Sequence, residues 1–394
     1  MRRSSRPAAP TRLRWLAAPL AGVAMLGAYA MVPTLAGADA PPNLPPVSAA
    51  DLVAKVEQAS VPGLAGTITS SPHLGLPDLG SVMGDQGSFA TDLLTGAHSM
   101  DVWQAGSDIR LRLPSTLAES DLVKHGTDVW DWQSSGQQVS HLALQGDAGG
   151  SDTNQHPGTD PTEVAPTPQA LAQHFLDSVD ATTRVFVRDT VTVAGRPAYE
   201  LVLAPRSATT LVADVVVAVD SATGLPLRVQ VLAKDSGTPA VDVGFSSLDM
   251  SVPAASNFSF TPPPGATVTE AHSAADLLLP AHSENGPSGP QVKGGPSGSL
   301  AEPTTPPTGS QTGADRSTQV VGTGWDSVAV IDLGSDGTNP TVANLSKLGS
   351  AVSGSWGSGH LVHTSLFNVL LTDKGTLLVG AVPEAALEAA AAGH

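Results

Sequence analysis

The chain has 394 residues, of which 41% are hydrophobic and only 14% are charged, so it can bury a sizeable core. Its 36 acidic residues outnumber its 19 basic ones, and this excess repels phosphate backbones, which argues against nucleic acid as a partner. The lack of cysteine in the sequence excludes a disulfide framework, a thiolate nucleophile and lipidation on cysteine.

The first segment of the chain is basic and then apolar. Five arginines lie within the first 14 residues, and residues 15–38 contain no charge. The positive-inside rule places the N-terminus in the cytoplasm and the remainder outside it. Small residues at Ala36, Ala38 and Ala40 allow signal-peptidase cleavage, and the same stretch is long enough to span a bilayer of ~30 Å. We therefore expect residues 1–40 to be a signal peptide or a transmembrane anchor, with the rest extracytoplasmic, either membrane-anchored or secreted.

A spacer and a helix open the exported part. Residues 41–47 are proline-rich, which is typical of a stiff, extended spacer. Ser48 is a suitable N-cap, and Leu52, Val53 and Val56 follow it at helical spacing, so we predict a short amphipathic helix. From Leu64 the pattern changes to alternation with period two, which predicts successive strands.

Two tryptophans one residue apart stand out in a chain with only 4% aromatic residues. Trp130 and Trp132 lie in a segment with strand character, and positions i and i+2 of a strand point to one face of a sheet. Two interpretations remain open: the indoles belong to an ordinary sheet-helix core, or they line a cavity.

A second helix and five strands follow. Pro168 suits the first turn of a helix that places Leu171, Phe175, Leu176 and Val179 on one side. The five strands are joined by short turns, at 194–197 and 221–224 among others, which predicts an antiparallel meander. Asp220 and Asp242 lie among valines in these strands, and we expect them to be outward-facing charges that blunt the sheet, although paired carboxylates can also do acid-base chemistry.

Three segments carry a family resemblance: "VAGRPAYELVLAP" (193–205), "VDSATGLPLRVQV" (219–231) and "NFSFTPPPGATV" (257–268). They resemble the strand-turn-strand and closing motifs of the lipoprotein-carrier superfamily typified by LolA, which includes LolB, LppX and the N-terminal domain of RseB. The resemblance covers residues 48–270 and contains no catalytic motif. It implies an α+β fold, in which a curved antiparallel sheet, an incomplete β-barrel, is covered by helices over a hydrophobic cavity.

The resemblance also implies a ligand and a site. The cavity of such a fold takes the acyl chains of a lipid or lipoprotein, so we expect a lipid-sized pocket between sheet and helices. The residues that we expect to line it are Trp130, Trp132, Tyr199, Leu201, Leu203 and Phe245.

Beyond the resemblance, composition divides the rest of the chain. Residues 271–318 are rich in Pro, Gly, Ser and Thr and cannot bury enough apolar surface to fold, so we predict a low-complexity linker. Residues 319–394 show patterns of a strand, a helix, a strand pair and a helix, which predicts a small C-terminal α+β unit.

Signals for catalysis and metal binding are weak. His360 and His363 are three residues apart, so in a strand they face opposite ways, and no carboxylate lies at ligand spacing nearby. The segments "GSWGSGH" and "GTGWDS" match neither a nucleophile elbow nor a dinucleotide fingerprint and are typical of turns. We therefore predict no catalytic residues, no metal site, no cofactor and no enzyme activity.

Three function classes follow from these patterns. The first is an extracytoplasmic binding protein of the lipoprotein-carrier or lipoprotein-sorting type, which would hold lipid or lipoprotein acyl chains in its cavity. A membrane transporter or a membrane-bound regulator is its candidate protein partner. The second is an RseB-like envelope-stress sensor that binds a membrane-bound regulator, and a two-domain layout favours it. The third is a secreted hydrolase, for which the sequence supplies no nucleophile constellation.

Overall fold

The computed structural model describes residues 41–75, 97–114, 118–144, 167–271, 318–334 and 346–393. The predicted signal peptide or anchor at 1–40 and nearly all of the predicted linker at 271–318 lie outside these ranges. Among the described helices, none combines the length and the apolar character needed to cross a bilayer.

A large curved sheet dominates the described part of the chain. Its twelve described strands are β1 (Gly63–Ser70), β2 (His98–Ala105), β3 (Asp108–Pro114), β4 (Glu119–His125), β5 (Asp128–Gln133), β6 (Gln138–Ala143), β7 (Thr183–Val193), β8 (Arg196–Pro205), β9 (Val212–Asp220), β10 (Pro226–Ala233), β11 (Pro239–Asp249) and β12 (Thr267–Glu270). They are ordered β12-β6-β5-β4-β3-β2-β1-β11-β10-β9-β8-β7, and the sheet is not closed into a barrel. Every pair is antiparallel except β12 with β6. The predicted meander is thus confirmed in β7 to β11.

Register shifts bend the sheet. They occur between Thr67 and Ile68 in β1, between Val187 and Thr190 in β7, and at both ends of β10. A bulge adds a residue to one strand of a pair and increases the local twist, so such irregularities curve a sheet. The curvature makes one face concave enough to receive helices.

Two helices pack against this sheet, as the sequence predicts. Helix α1 (Ala49–Glu57) starts at Ser48, whose hydroxyl accepts a hydrogen bond from the Asp51 N–H at 3.1 Å. Helix α2 (Pro168–Asp177) starts at Thr167, whose hydroxyl accepts from the Ala170 N–H at 3.2 Å. Each cap satisfies a backbone donor that the first helical turn leaves free.

The apolar interior of the large sheet consists of two clusters that meet at Leu171 of α2. We call the first the helix cluster; it joins both helices to β8–β11 and includes Leu52, Val56, Ala172, Tyr199, Leu201, Leu203, Val215, Val217, Val229 and Val231. We call the second the barrel cluster; it lies mainly on β1–β6 and includes Leu64, Ile68, Met100, Val102, Leu111, Leu122, Val129, Leu142, Leu227, Val243 and Phe245.

A strap crosses the other face of the sheet. After β11 the chain runs through residues 250–266, including a 3-10 turn at Ala255–Phe258, and reaches β12 beside β6 at the far edge. Phe258 of the strap is buried, and the Arg110 guanidinium donates to the Asn257 carbonyl at 3.1 Å. Arg110 also pairs with the Asp121 carboxylate, and its side chain is only 17% exposed.

The C-terminal residues form a second sheet and a helix. Its described strands are β13 (Thr318–Val321), β14 (Val328–Asp332), β15 (Ser350–Gly354), β16 (Gly357–His363), β17 (Asn368–Thr372) and β18 (Thr376–Gly380), in the order β13-β14-β18-β17-β16-β15. Helix α3 (Glu384–Ala392) packs on β17 and β18.

Two strand predictions in this unit were wrong in detail. The single strand predicted near residues 319–333 is divided into β13 and β14 by a 3-10 turn at Gly324–Asp326. The predicted strand pair is three strands, β16 to β18, because Thr364 closes a tight turn within the apolar run. Within the predicted helix at 340–352, residues 340–345 lie outside the described residues, residues 346–348 are helical, and residues 350–352 belong to β15.

Candidate functional site

An apolar groove lies between the two helices and the edge strand β7. It has a volume of about 510 Å³, within the range of ligand sites in proteins. Its lining residues are Ala49, Ala50, Val53, Ala54, Glu57, Leu176, Val179 and Val185. Glu57 is the charged residue among them. Because the other side chains are apolar, water in the groove finds few hydrogen-bond partners, and its displacement by an apolar ligand is favourable in free energy.

Small side chains on α1 keep this groove open. Ala49, Ala50 and Ala54 line it from one side, where larger residues would reach across to α2. Val179, just beyond α2, remains 38% exposed although it is apolar. A partly exposed apolar surface in a concave place is the usual mark of a binding site rather than of a finished core.

The floor of the groove is the helix cluster. Val53, Leu176 and Val185 line the groove and also pack against this cluster. An apolar ligand that enters between α1 and α2 therefore reaches a continuous apolar interior.

Helix α1 is fixed to the sheet by contacts at both ends. Before it, the Tyr199 hydroxyl donates to the Pro45 carbonyl at 2.8 Å, which holds the proline-rich spacer on the sheet. At its last turn, the Lys55 ammonium donates to the Ser221 carbonyl in the turn between β9 and β10. Gly224 in the same turn has φ of +80°, and a Cβ there would lie 2.5 Å from the Lys55 carbonyl oxygen. The turn requires glycine for its conformation and for this close approach.

The structure brings four of the six sequence-predicted cavity residues into the apolar interior. Tyr199, Leu201 and Leu203 belong to the helix cluster, and Phe245 belongs to the adjoining barrel cluster. All four side chains are buried. None of the four is among the residues that line the groove, and their role in ligand binding stays a prediction.

Trp130 and Trp132 lie elsewhere. Alternation along β5 places them on the face opposite Val129, which belongs to the barrel cluster. Trp130 stacks on His141 with ring centroids 3.9 Å apart and contacts Phe260 of the strap at 5.6 Å. The structure thus does not bring the two indoles together with Tyr199, and Trp130 packs between His141 and the strap.

A buried carboxylate lies on the inner face of β5. Asp131 is only 6% exposed and has the side-chain amide of Gln133 as a donor at 3.2 Å. Burial raises the pKa of Asp131 to about 6, an effect that the negative charge of Asp121 reinforces and the hydrogen bond from Gln133 opposes. The strand pattern around Val129 and Trp130 contains no signal for this burial, because Asp is normally read as exposed.

The prediction for Asp220 was wrong, because this carboxylate is fully buried. The guanidinium of Arg196 donates to both of its oxygens, at 2.8 and 2.9 Å, and Thr223 donates through its N–H and hydroxyl. Burial alone would raise the pKa of Asp220, but these donors outweigh it and lower the pKa. The group fixes the turn that supports α1, and this carboxylate performs a structural role.

A polar cavity of about 250 Å³ lies beside Arg228 and Asp242. The Arg228 guanidinium donates to the Asp242 carboxylate, and Gln230 donates to it at 3.1 Å. Side chains of Thr69, Thr192 and Ser246 complete the polar lining. Because Arg228 and Asp242 neutralise one another, the cavity carries no net charge from this pair.

The histidines and carboxylates of the described residues are dispersed as potential metal ligands. Within the described residues, no three His, Asp or Glu side chains come together in a way that could hold a metal ion. His360 and His363 are both on β16, with His363 exposed, so they are separated as the spacing predicts.

Comparisons with known proteins give structural likenesses only. No family model matches the chain, and no curated protein matches it. The complex of MucA and MucB from Pseudomonas aeruginosa is similar with a TM-score of 0.39 at 17% identity, over 87% of this chain and 96% of that one.

Two shorter proteins are also similar. A LolA superfamily protein from Nitrosomonas europaea has a TM-score of 0.22 at 11% identity, over 55% of this chain and 99% of that one. An outer membrane lipoprotein-sorting protein domain from Vibrio parahaemolyticus has a TM-score of 0.21 at 11% identity, over 50% and 90%. Both the identities and the TM-scores are low in all three cases.

Proposed function

We propose that this chain is an extracytoplasmic binding protein that holds the acyl chains of a lipid or lipoprotein in the groove between α1 and α2. The observation that carries the proposal is the apolar groove of about 510 Å³, whose floor is the helix cluster. The basic and apolar N-terminal sequence supports export, with residues 1–40 as signal peptide or membrane anchor.

The energetics favour an acyl chain over a polar ligand. Each methylene that leaves water for an apolar site contributes about 0.8 kcal/mol, from which association costs are subtracted. The lining alanines, valines and leucine offer contact surface but few hydrogen-bond donors. A polar ligand would lose its hydration there without finding partners, which costs free energy.

The test is whether the protein retains lipid in this groove. The full chain is purified from the cell envelope in mild detergent, and native mass spectrometry measures bound lipid. We expect Ala54→Trp and Ala50→Trp to reduce retention about tenfold or more, because an indole fills the groove. Val252→Trp is the matched control, since Val252 is 58% exposed and lies outside the groove lining.

Two results contradict the proposal. One is a wild-type protein that retains no lipid and shows no affinity across phospholipids, lipoprotein acyl peptides and glycolipids. The other is a folded Ala54→Trp protein that binds as much lipid as the Val252→Trp control.

A second candidate function is an envelope-stress sensor that binds a membrane-bound regulator. The observation that favours it is the packing of the C-terminal sheet on the helix cluster through Leu366. Deletion of residues 319–394 separates the two functions: a carrier keeps its bound lipid, whereas a sensor loses its regulator. In either case the division at 48–270 and 319–394 is part of the proposal.

A further inference from the structure

The turn between β16 and β17 inserts into the apolar interior of the large sheet. Leu366 is buried as a member of the helix cluster, and Phe367 packs against the same cluster. Two more residues of the C-terminal part, Trp325 and Ala381, also pack there. The C-terminal part therefore supplies side chains to the cluster that forms the floor of the groove.

The inserted turn is held in shape by its own side chain. Thr364 is 2% exposed, and its hydroxyl donates to the Phe367 carbonyl at 2.5 Å. The same hydroxyl accepts from the Phe367 N–H at 3.0 Å and the Leu366 N–H at 3.3 Å. A turn that is fixed internally can be inserted or withdrawn as a unit without reorganising itself.

Neutral hydrogen bonds attach this turn to the large sheet. The Ser365 N–H donates to the Leu74 carbonyl at 2.9 Å, and its hydroxyl donates to the His73 carbonyl at 3.2 Å. Nearby, the Leu211 N–H and the Thr210 hydroxyl both donate to the Ala381 carbonyl at 2.8 Å.

A second attachment involves Trp325 and Asp326. The indole N–H of Trp325 donates to the Thr183 hydroxyl at 2.8 Å. The Asp326 carboxylate accepts from Ser207 at 2.8 Å and Thr209 at 2.7 Å. Such contacts are individually modest, as is usual for interfaces that open and close.

We propose that the turn Thr364–Phe367 is a removable stopper of the acyl site. Its apolar side chains occupy volume within the helix cluster, which also forms the floor of the groove. A long acyl chain that reaches into this cluster therefore competes with the inserted turn. This inference rests on the proposed function and assigns its regulation to the C-terminal unit. Thermodynamic linkage makes the effect reciprocal: the bound ligand weakens the docking of the turn by the same factor by which the docked turn lowers the affinity for the ligand.

A disulfide that locks the turn in place tests the stopper. Because the sequence contains no cysteine, the two introduced cysteines can pair only with each other within the chain. The full chain carries Leu74→Cys with Ser365→Cys, at residues whose backbones are joined by the 2.9 Å hydrogen bond. The matched control carries Ser353→Cys with Ser358→Cys, an exposed cross-strand pair of β15 and β16 within the C-terminal sheet. The probe is a fluorescent long-chain fatty acid.

We expect the oxidised lock to bind the probe about tenfold more weakly than its reduced form, and the control pair to be insensitive to oxidation. Leu366→Ala, which shortens the stopper, is expected to bind about fivefold more tightly than wild type. Circular dichroism and the reduced state of each variant distinguish a gating effect from misfolding.

The outcomes separate the two proposals. If wild type binds the probe but the locked and reduced forms bind equally, the stopper is overturned while the acyl site stands. If wild type, reduced and Leu366→Ala proteins all fail to bind any long-chain probe, the proposed function falls, and the stopper with it.

Discussion

The Nδ1 atom of His141 lies 2.9 Å from the Glu270 carboxylate, across the parallel pair of strands β6 and β12. The Nε2 atom of the same ring lies 2.9 Å from the Asp128 carboxylate, and the ring stacks on Trp130. A neutral imidazole has a single N–H, so both contacts are hydrogen bonds only in the imidazolium form. His141 of β6 thus joins β12, the strand that follows the strap, to β5.

Removal of this link should loosen β12. His141→Phe keeps a ring to stack on Trp130 but loses both hydrogen bonds. We expect the backbone amides of Thr267–Glu270 to exchange hydrogen faster in the variant. The loss of local stability should be only about 1 kcal/mol, because Glu270 is 65% exposed and solvent screens the pair. The control is His125→Phe, which removes another exposed histidine-carboxylate pair away from the strap. Equal exchange in β12 for both variants would contradict the link.

The burial of Asp131 should make stability fall as pH rises. Its pKa is raised from 3.8 to about 6, so the folded protein holds this proton more tightly than the unfolded chain does. Below pH 4 the side chain is protonated and neutral, so its burial carries no charge penalty. As pH rises from about 4 to about 6, the free energy of unfolding falls by about 3 kcal/mol.

Asp131→Asn should remove that dependence. We expect the variant to gain stability over wild type by about 3 kcal/mol between pH 4 and pH 7, measured by urea unfolding at each pH. Asp189→Asn serves as the control, because Asp189 is 74% exposed and should leave the difference flat. A variant whose advantage does not grow with pH would show that Asp131 stays ionised in the folded protein.

Two glycines in equivalent turns should differ in their tolerance of alanine. Gly195 and Gly224 have φ of +74° and +80°, so alanine costs about 1–2 kcal/mol at either from backbone strain alone. A Cβ at Gly195 meets no atom within 4 Å, whereas at Gly224 it would approach the backbone of α1. We expect Gly224→Ala to be the more destabilising by about 2 kcal/mol and to weaken acyl binding. Similar losses for both would mean that α1 moves freely.

Leu203 and Trp132 should separate ligand binding from stability. Leu203 is fully buried in the helix cluster, and Trp132 is buried on the face of β5 opposite Val129. Leu203→Ala is expected to cost 2–5 kcal/mol of stability and to change acyl affinity. Trp132→Ala is expected to cost about 3–5 kcal/mol while the folded fraction keeps its affinity. Acyl affinity is measured by titration at a temperature where circular dichroism shows that both variants are folded. Weaker binding by folded Trp132→Ala would support the prediction that the tryptophans line the cavity.

The sequence alone determined the local elements of the large sheet. Ser48 and Pro168 mark the starts of α1 and α2 because capping and the fixed φ of proline act within one helical turn. The turns at Gly195 and Gly224 define the meander for the same reason, since positive φ is a local requirement. Alternation also placed Trp130 and Trp132 on one face, as it must in any strand.

Tertiary structure alone decided which face that is and what covers it. The strap returns from β11 to β12 across the sheet, and this route depends on contacts between residues far apart in the chain, such as Glu270 with His141. The burial of Asp131 and Asp220, and the insertion of Leu366 into the helix cluster, likewise depend on distant partners. Hydrophobic periodicity predicts that one face of a strand is buried. It does not predict which residues cover that face, because those residues can come from any distance along the chain.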